Sequence, residues 1–266
     1  MKISIITPSY NQGKYIKQTI ESVVDQDYSN VEHLVIDGGS QDETVEILKG
    51  FGHLKWVSEK DGGQADALNK GLRMASGEII GWINSDDYYQ KNILGSVIQR
   101  FRDPAVGWVI GGVSMIYDPD DAPVPLSIEE ITHNNLLSNP DIVRQQGAFF
   151  RKSLLEEVGA WDASFHMVMD LDLWFRLSRV KPPVMVHDTW AYFRTQPEQK
   201  TSYKNYRLQA DEILRLFKRE NAPSSLVNRF MSQRKWYFFK GYLKKVLLEL
   251  GVISQKYSNR PFRSSP

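Results

Sequence analysis

Short β-branched runs that stop at polar, often glycine-bearing turns recur through the first part of the chain. The runs are ISIIT, VEHLVID, LKWVS and EIIGWIN, and helical periodicity follows each of the first three. Strands that alternate with helices at this spacing favour βαβ units and a mostly parallel sheet. Open sheets of that kind bind ligands beyond the carboxyl ends of their strands. The sequence therefore predicts an α/β fold whose polar turns face a ligand.

The composition argues against several kinds of chemistry. The 266 residues are enough for a sizeable core, but the absence of cysteine removes disulfides, thiolate nucleophiles and thiolate metal ligands. The five histidines form neither an HxxxH nor an HExxH pair, so a catalytic zinc site is not expected. The chain has no GxSxG or GxxxxGK[ST] sequence, and its DGGSQDE turn is not GxGxxG.

Charge is distributed unequally along the chain. From Lys200 onward there are 15 Lys and Arg against 4 Asp and Glu, whereas the preceding part is acidic. We expect a catalytic domain over residues 1–200 and a basic, aromatic-rich helical extension over residues 201–266. Such helices bind anionic membrane surfaces, and the alternative is packing on the domain or on another copy of the chain. Nucleic acid is not expected as a partner.

No signal peptide or membrane span is expected, because the first apolar run stops at Pro8 and no other run reaches about 18 apolar residues. The expected location is therefore the cytoplasm, either free or at the inner face of the cytoplasmic membrane.

Two adjacent acids follow the run EIIGWIN. Asp86 and Asp87 come directly after Asn84-Ser85. Within a strand their side chains would point to opposite faces, but beyond a strand end both can turn toward one cation. Hard divalent ions accept one or two carboxylates together with substrate phosphates. The alternative is a solvated turn, in which aspartate is common.

Two other turns carry acids and paired glycines. Asp37 ends the second strand before two glycines, where its carboxylate can accept from a nucleobase N–H. Lys60 and Asp61 precede two further glycines at a helix N-terminus, a position that favours anionic ligands. Asp66 and Asn69 share a face of that helix and either join the site or only face solvent.

A third acidic segment lies among apolar residues in MDLDLWFRL, where Asp170 and Asp172 cannot share a helix face. A carboxylate at the mouth of an apolar pocket can serve as a general base. The alternative is an acid favoured only by the helix dipole.

Six segments in order resemble family 2 glycosyltransferases over about residues 2–195. They are TPSYN, DGGSQDET, SEKDGGQADALNKG, GWINSDD, QQGAFFR and MDLDLWFRL. The resemblance implies a GT-A fold, a mostly parallel sheet flanked by helices, and inverting transfer from a nucleotide sugar. A UDP-sugar is the expected donor and Mn²⁺ or Mg²⁺ the expected cofactor. The acceptor would be a glycan, lipid-linked or protein-linked hydroxyl in polysaccharide, glycolipid or glycoprotein assembly.

The resemblance also implies roles for individual residues. Asp87 would ligate the metal, and Asp170 would be the general base, with Asp172 as its competitor. The nucleotide and donor sugar would be bound by Pro8, Tyr10, Asn11, Asp37, Lys60, Asp61, Asp66, Asn69 and Asp86. The acceptor side would include Gln146, Gly147 and Trp174.

Two positions depart from the family pattern. Met169 stands where many relatives have Glu, and Gln196 stands where many have the His of an Arg-x-His sequence. Either His187 substitutes as a metal ligand, or Asp87 and the diphosphate hold the metal alone. The departures also support an alternative function, a catalytically weak nucleotide-sugar-binding subunit that supports a partner transferase. A nucleotidyltransferase is disfavoured, because TPSYNQG lacks a glycine-rich basic first loop.

Overall fold

The computed structural model describes residues 1–117, 122–140, 142–196, 199–200 and 205–233. Its strands are β1 (Ile3–Ser9), β2 (Val31–Asp37), β3 (Lys55–Ser58), β4 (Ile79–Trp82), β5 (Tyr88–Tyr89), β6 (Trp108–Ile116), β7 (Val124–Pro125), β8 (Ala148–Arg151) and β9 (Val184–Arg194). Its helices are α1 (Gly13–Val24), α2 (Thr44–Lys49), α3 (Gln64–Met74), α4 (Leu94–Phe101), α5 (His133–Ser138), α6 (Lys152–Glu157), α7 (Met169–Val180) and α8 (Tyr206–Arg219). A single 3-10 turn spans Gln145–Gly147.

In this part of the chain one mixed sheet has the order β3-β2-β1-β4-β8-β6-β9-β5, with β7 paired to β6. Strands β1 to β4 run parallel, as predicted, so their carboxyl ends meet at one edge. Strand β8 pairs antiparallel with β4 and β6, and β5 pairs antiparallel with β9. The predicted strand pair in PPVMVHDTWAYFRT is instead the single strand β9. The parallel half therefore positions the strand-end acids.

Helices cover the parallel strands because each has one apolar stripe. Ile16 and Ile20 of α1 pack with Val35 of β2 and Leu48 of α2. On α3, a Cβ added at Gly71 would lie 2.4 Å from the Ile6 side chain, so this glycine lets the helix approach β1 closely. Helices α1 and α3 are therefore packed directly against the parallel strands.

Contacts divide the chain into two compact units. The first contains Met1–Met115 and Pro123–Arg194, and the second contains Ile116–Ala122 and the chain from Thr195 onward. In the second unit, α8 is followed by helical residues 224–233, and the Phe217 and Phe230 rings meet edge to face at 5.4 Å. The predicted boundary at residue 200 stays a prediction, and residues 234–266 of the predicted extension lie outside the described residues. None of the helices described here is both long and apolar enough to cross a bilayer.

Candidate active site

The turn after β2 holds a fully buried carboxylate. Asp37 lies level with Ser9 of β1 and Ser58 of β3. Its Oδ2 accepts from the backbone N–H groups of Gly39 (3.1 Å) and Ser40 (2.9 Å) and from Ser58 Oγ (2.6 Å), and its Oδ1 accepts from Ser40 Oγ (2.5 Å). Because both oxygens are anchored, the carboxylate is held in one orientation at the ligand-binding edge of the sheet.

The turn after β1 presents an aromatic ring beside this acid. Tyr10 is 60% exposed, whereas Pro8 is buried within β1. Asn11 has a φ of 52°, donates from its backbone N–H to Ser40 Oγ (2.7 Å) and accepts from the Gln41 N–H (2.8 Å). The β1 and β2 turns are therefore bonded to each other, and the Tyr10 ring is left accessible.

The glycine turn before α3 lies against the Asp37 turn. A Cβ added at Gly38 would be 3.0 Å from Asp61 Oδ2, so the two turns are in contact. Asp61 accepts from the Gly63 N–H (2.8 Å), and Asp66 accepts from the Gly62 N–H (3.0 Å). Burial raises the pKa of Asp61, and the charge of Asp66 adds to the rise.

Two predicted donor contacts on this segment have different surroundings. Lys60 is exposed beside the turn. Asn69 is engaged at both ends of its amide, because Nδ2 donates to the Trp161 carbonyl (2.7 Å) and Oδ1 accepts from the Trp161 N–H (3.1 Å). The amide of Asn69 thus joins α3 to the loop before α7, which is a structural role.

The acidic turn after β4 is hydrogen-bonded to α1. Thr19, which is buried on α1, donates to the carbonyls of Asp87 (2.6 Å) and Ser85 (2.9 Å). Asp87 is fully buried, and its Oδ1 accepts from the backbone N–H of Arg194 (3.0 Å). Its Oδ2 accepts from Gln146 Nε2 (2.8 Å). The orientation of the Asp87 carboxylate is therefore set by two distant segments of the chain.

The ionised form of the Asp87 carboxylate is disfavoured by its surroundings when no cation is bound. Burial raises the pKa of Asp87 well above its usual range, and the negative charge of Asp86 raises it further. Hydrogen bonds from Gln146 and Arg194 act in the opposite direction. A bound cation would favour the ionised form of such a pair.

Arg194 clamps the same turn from β9. Its Nη1 donates to the Asp86 carbonyl (2.9 Å) and its Nη2 donates to Gln18 Oε1. The guanidinium carbon lies 4.9 Å from the centre of the Tyr15 ring and 5.4 Å from that of Tyr88. Arg194 therefore links α1, the acidic turn and β9 through charge-assisted bonds and cation–π contacts.

The Asp87 carboxylate fits a divalent metal ion whose remaining ligands are supplied by the substrate phosphates. Each Asp87 oxygen accepts one well-formed hydrogen bond and retains a further acceptor position. Within the described residues no three His, Cys, Asp or Glu side chains are grouped as a metal site. A hard ion bound by one or two carboxylates and two phosphates requires no such group.

His187, the alternative metal ligand, lies on β9 well away from Asp87. His187 is exposed on β9, seven residues before Arg194, which corresponds to about 23 Å along a strand. The structure thus places His187 far from Asp87. Gln196 is buried in the second unit, where its backbone N–H donates to Gln199 Oε1 (3.1 Å).

Helix α7 separates the two competing acids. Asp170 is half-buried in the first turn, and its Oδ1 accepts from the Leu171 N–H (2.8 Å). Asp172 is fully buried and paired with Arg176, whose Nη2 and Nε lie 2.5 and 3.0 Å from its Oδ2. Met169 is buried. Asp172 is thus held in an ion pair with Arg176.

The three residues expected on the acceptor side have different surroundings. Trp174 is 1% exposed and stacks on Trp108 at 5.6 Å and on Phe150 at 5.8 Å. Its ring is thus part of the core, and the expected contact with an acceptor stays a prediction. Gly147 is also buried, and a Cβ there would lie 2.2 Å from the Gly111 carbonyl. Gln146 donates from Nε2 to Asp87 Oδ2 at 2.8 Å.

Sequence reasoning missed Thr19 and Asn84. Thr19 lies in the stripe of Ile16, Ile20 and Val23, so a polar residue on the buried face of α1 was a signal of a specific hydrogen bond. Asn84 accepts from Gln64 Nε2 (2.7 Å) and Trp82 Nε1 (3.0 Å), and so joins α3 to the acidic turn. Nothing in its sequence context indicates the contact with Gln64, which lies 20 residues earlier in the chain.

The sheet and the strand-end acids define a GT-A type α/β fold, and comparison with solved structures supports that class. S. aureus TarS 1–349 in complex with UDP matches with a TM-score of 0.62 and 24% identity over 80% of this chain and 66% of that one. A mannosyltransferase, PcManGT from Pyrobaculum calidifontis, in complex with GDP-Man and Mn²⁺, matches with a TM-score of 0.65 and 20% identity over 89% and 71% of the two chains. The chain spans 40% of a longer TarS structure.

Sequence comparison identifies the family. The Glycosyl transferase family 2 model matches residues 4–159. A Mycobacterium tuberculosis protein described as an uncharacterized glycosyltransferase is 31% identical over 201 residues, which are 73% of this chain and 75% of that protein. A Rickettsia typhi protein described in the same words is 26% identical over 96% of this chain and 85% of its own length. The chain belongs to glycosyltransferase family 2.

Proposed function

We propose that this protein is an inverting, metal-dependent glycosyltransferase that uses a nucleotide-diphosphate sugar. The single observation that carries the proposal is the buried Asp87, fixed by Gln146 and Arg194 at the edge where Asp37 also lies. A rigid, desolvated carboxylate beside a second acid is suited to bind a divalent ion together with a diphosphate.

Donor binding would use the parallel edge of the sheet. The exposed Tyr10 ring would stack on the base, while Asp37 would accept from a base N–H. Lys60 lies beside the glycine turn at the start of α3, where an anionic group is favoured. Asp61, Asp66 and Asp86 would contact ribose or sugar hydroxyls. Mn²⁺ or Mg²⁺, held by Asp87, would offset the charge of the leaving diphosphate.

The chemical step would use Asp170. Its carboxylate takes the proton from an acceptor hydroxyl, and the oxygen forms a bond to the anomeric carbon. The bond from that carbon to the diphosphate oxygen breaks on the opposite face, so the configuration inverts in one displacement. Asp172 is unsuited to this role because its carboxylate bonds Arg176.

The loop that precedes α7 supports this arrangement. A Cβ added at Gly63 would lie 3.8 Å from Nδ1 of His166, four residues before Asp170. The glycine turn of the donor half and the segment leading to Asp170 are therefore neighbours. This proximity is what a single displacement between donor and acceptor requires.

The donor, the acceptor and the cellular location belong to the same proposal. TarS has been solved with UDP and with UDP-GlcNAc, and PcManGT with GDP-Man, so UDP-sugars are the first choice and GDP-sugars the second. The acceptor would be a glycan or a lipid- or protein-linked hydroxyl. A cytoplasmic location is proposed, with the basic segment 201–266 binding either an anionic membrane or a second copy of the chain.

The test combines binding and turnover. Purified protein is titrated with UDP and GDP, with Mn²⁺ and with EDTA, and donor hydrolysis is then measured for UDP- and GDP-sugars. We expect metal-enhanced binding of one nucleotide and hydrolysis of its sugar conjugates, both lost in Asp87→Asn. Metal-enhanced binding without hydrolysis or transfer to any tested acceptor would instead support the non-catalytic donor-binding subunit.

A further inference from the structure

Gln146 is a buried glutamine whose side chain hydrogen-bonds to one carboxylate, that of Asp87. The residue is 4% exposed, and its Nε2 donates to Asp87 Oδ2 at 2.8 Å. Its Oε1 is buried and has no hydrogen-bond partner within the described chain. Gln146 therefore does not cap a helix or bridge two backbone segments, and the contact with Asp87 is its polar function in this structure.

The segment that carries Gln146 is anchored in the middle of the sheet. It forms a 3-10 turn leading into β8, which pairs with β4 and β6 in the middle of the sheet. At the end of that turn, Gly147 lies so close to β6 that a Cβ would be 2.2 Å from the Gly111 carbonyl. An amide mounted on such a turn is preorganised, so it can hold a partner in one orientation.

Among the described residues no other side chain donates a comparable hydrogen bond to the Asp87 carboxylate. Asn84 Nδ2 lies 3.5 Å from the same Oδ2, at the limit of a hydrogen bond, and the remaining well-formed bond is from the Arg194 backbone. A backbone N–H anchors one oxygen but leaves the carboxylate plane free to turn about that bond. The Gln146 amide on the other oxygen fixes the plane.

We propose that Gln146 is a donor-side positioning residue that orients the Asp87 carboxylate for the metal–diphosphate complex. This inference rests on the proposed function, and it moves Gln146 from the acceptor side, where the sequence resemblance placed it, to the donor side. Gln146 acts through Asp87 and does not itself take part in the bond-making step. Its loss therefore weakens the metal-dependent part of nucleotide binding.

The test compares two neighbouring glutamines. Gln146→Leu replaces the amide with an apolar side chain of similar size and removes the donor to Asp87. Gln145→Leu is the matched control, because Gln145 is buried on the same turn and neither of its amide atoms has a partner in the described chain. For each protein, UDP and GDP are titrated calorimetrically with Mn²⁺ and with EDTA, and the melting temperature is measured.

Gln146→Leu should lower the Mn²⁺-dependent gain in nucleotide affinity by about 10- to 100-fold, the usual effect of losing a partner of a metal ligand. Binding in EDTA should not change, and Gln145→Leu should keep the wild-type gain. An unchanged gain in Gln146→Leu would overturn the proposal. An equal loss in both variants would overturn it too, because the cause would then be packing of the turn.

Failure of the proposed function has a separate signature. If the wild-type protein shows no Mn²⁺-dependent gain for either nucleotide, the metal-dependent function itself is wrong. If the wild-type gain is present and Gln146→Leu retains it, only the role of Gln146 is wrong.

Discussion

Asp172 and Arg176 form an ion pair one turn apart on α7, with Nη2 of the arginine 2.5 Å from Oδ2 of the aspartate. The Asp172 side chain is fully buried, and Arg176 Nη1 also donates to the Val158 carbonyl at 2.5 Å. The pair thus ties α7 to the end of α6. Asp170, two residues earlier, lies half-buried in the first turn. Asp172 therefore has a structural role in this pair, whereas Asp170 remains the acid that we propose as the general base.

Asp172→Asn should destabilise the fold by about 3 kcal/mol, because removing one partner of a buried pair leaves the other charge uncompensated. Asp170→Asn should change the free energy of unfolding by less than about 1 kcal/mol, since the half-buried Asp170 lies at a helix start. Urea unfolding followed by circular dichroism measures both values.

The same two variants separate the catalytic roles. Asp170→Asn should bind the nucleotide with wild-type affinity and lose transfer, because it lacks a base for the acceptor hydroxyl. Asp172→Asn should retain transfer at a temperature where it is folded. Wild-type turnover by Asp170→Asn would contradict its assignment as the base.

Arg194→Lys should weaken Mn²⁺-dependent nucleotide binding by about tenfold. The guanidinium bonds the Asp86 carbonyl and Gln18 while lying over Tyr15 and Tyr88, and a lysine ammonium cannot make these contacts together. The backbone bond from residue 194 to Asp87 is kept, so the effect should be smaller than that of Asp87→Asn. Calorimetric titration with UDP and GDP measures the difference.

Tyr10→Ala should weaken nucleotide binding in EDTA as well as in Mn²⁺, by about 1–3 kcal/mol, the cost of losing a base-stacking ring. Tyr10→Phe is the control and should bind as wild type, because it keeps the ring. Because the Tyr10 side chain is 60% exposed, its removal should not disturb folding, and weaker binding would reflect loss of the ring itself. Equal binding by the alanine variant would show that the base is held elsewhere.

The parallel half of the fold could be predicted because its information is local. Periodicity and strand-end turns placed β1 to β4 and the acids Asp37, Asp86 and Asp87 at one edge, as the structure shows. The antiparallel half could not be predicted in this way. Strand β8 inserts between β4 and β6, although residues 148–151 lie far from both in sequence. Such pairings depend on tertiary packing rather than on local pattern.

The side-chain contacts of the site could not be predicted from local sequence either. Trp174 and Gln146 belong to segments that resemble a family motif, but resemblance does not show which face of an element is buried. In the structure Trp174 stacks on Trp108 and Phe150, and Gln146 donates a hydrogen bond to Asp87. Both assignments depend on contacts between residues at least 24 positions apart, which no local pattern specifies.

A pH dependence of stability is expected from His33. The ring is buried on β2, its Nε2 lies 2.9 Å from Thr7 Oγ1, and burial together with the nearby charge of His53 lowers its pKa to about 3. The unfolded chain protonates this histidine near its ordinary value of about 6.5, whereas the folded protein keeps it neutral. The unfolded state thus binds more protons between these values, and stability falls as the pH falls.

Between pH 6.5 and 5 the wild-type protein should therefore lose about 1–2 kcal/mol that His33→Gln does not lose. This window excludes Glu32, the other strongly shifted group on β2. Burial raises the pKa of Glu32, but hydrogen bonds from Lys55, Ser4, Ser76 and Lys2 outweigh that effect and hold it well below its usual range. Its contribution is present above pH 4.5 and is lost only at lower pH. Urea unfolding at several pH values gives the comparison, and parallel curves for the two proteins above pH 5 would contradict the assignment to His33.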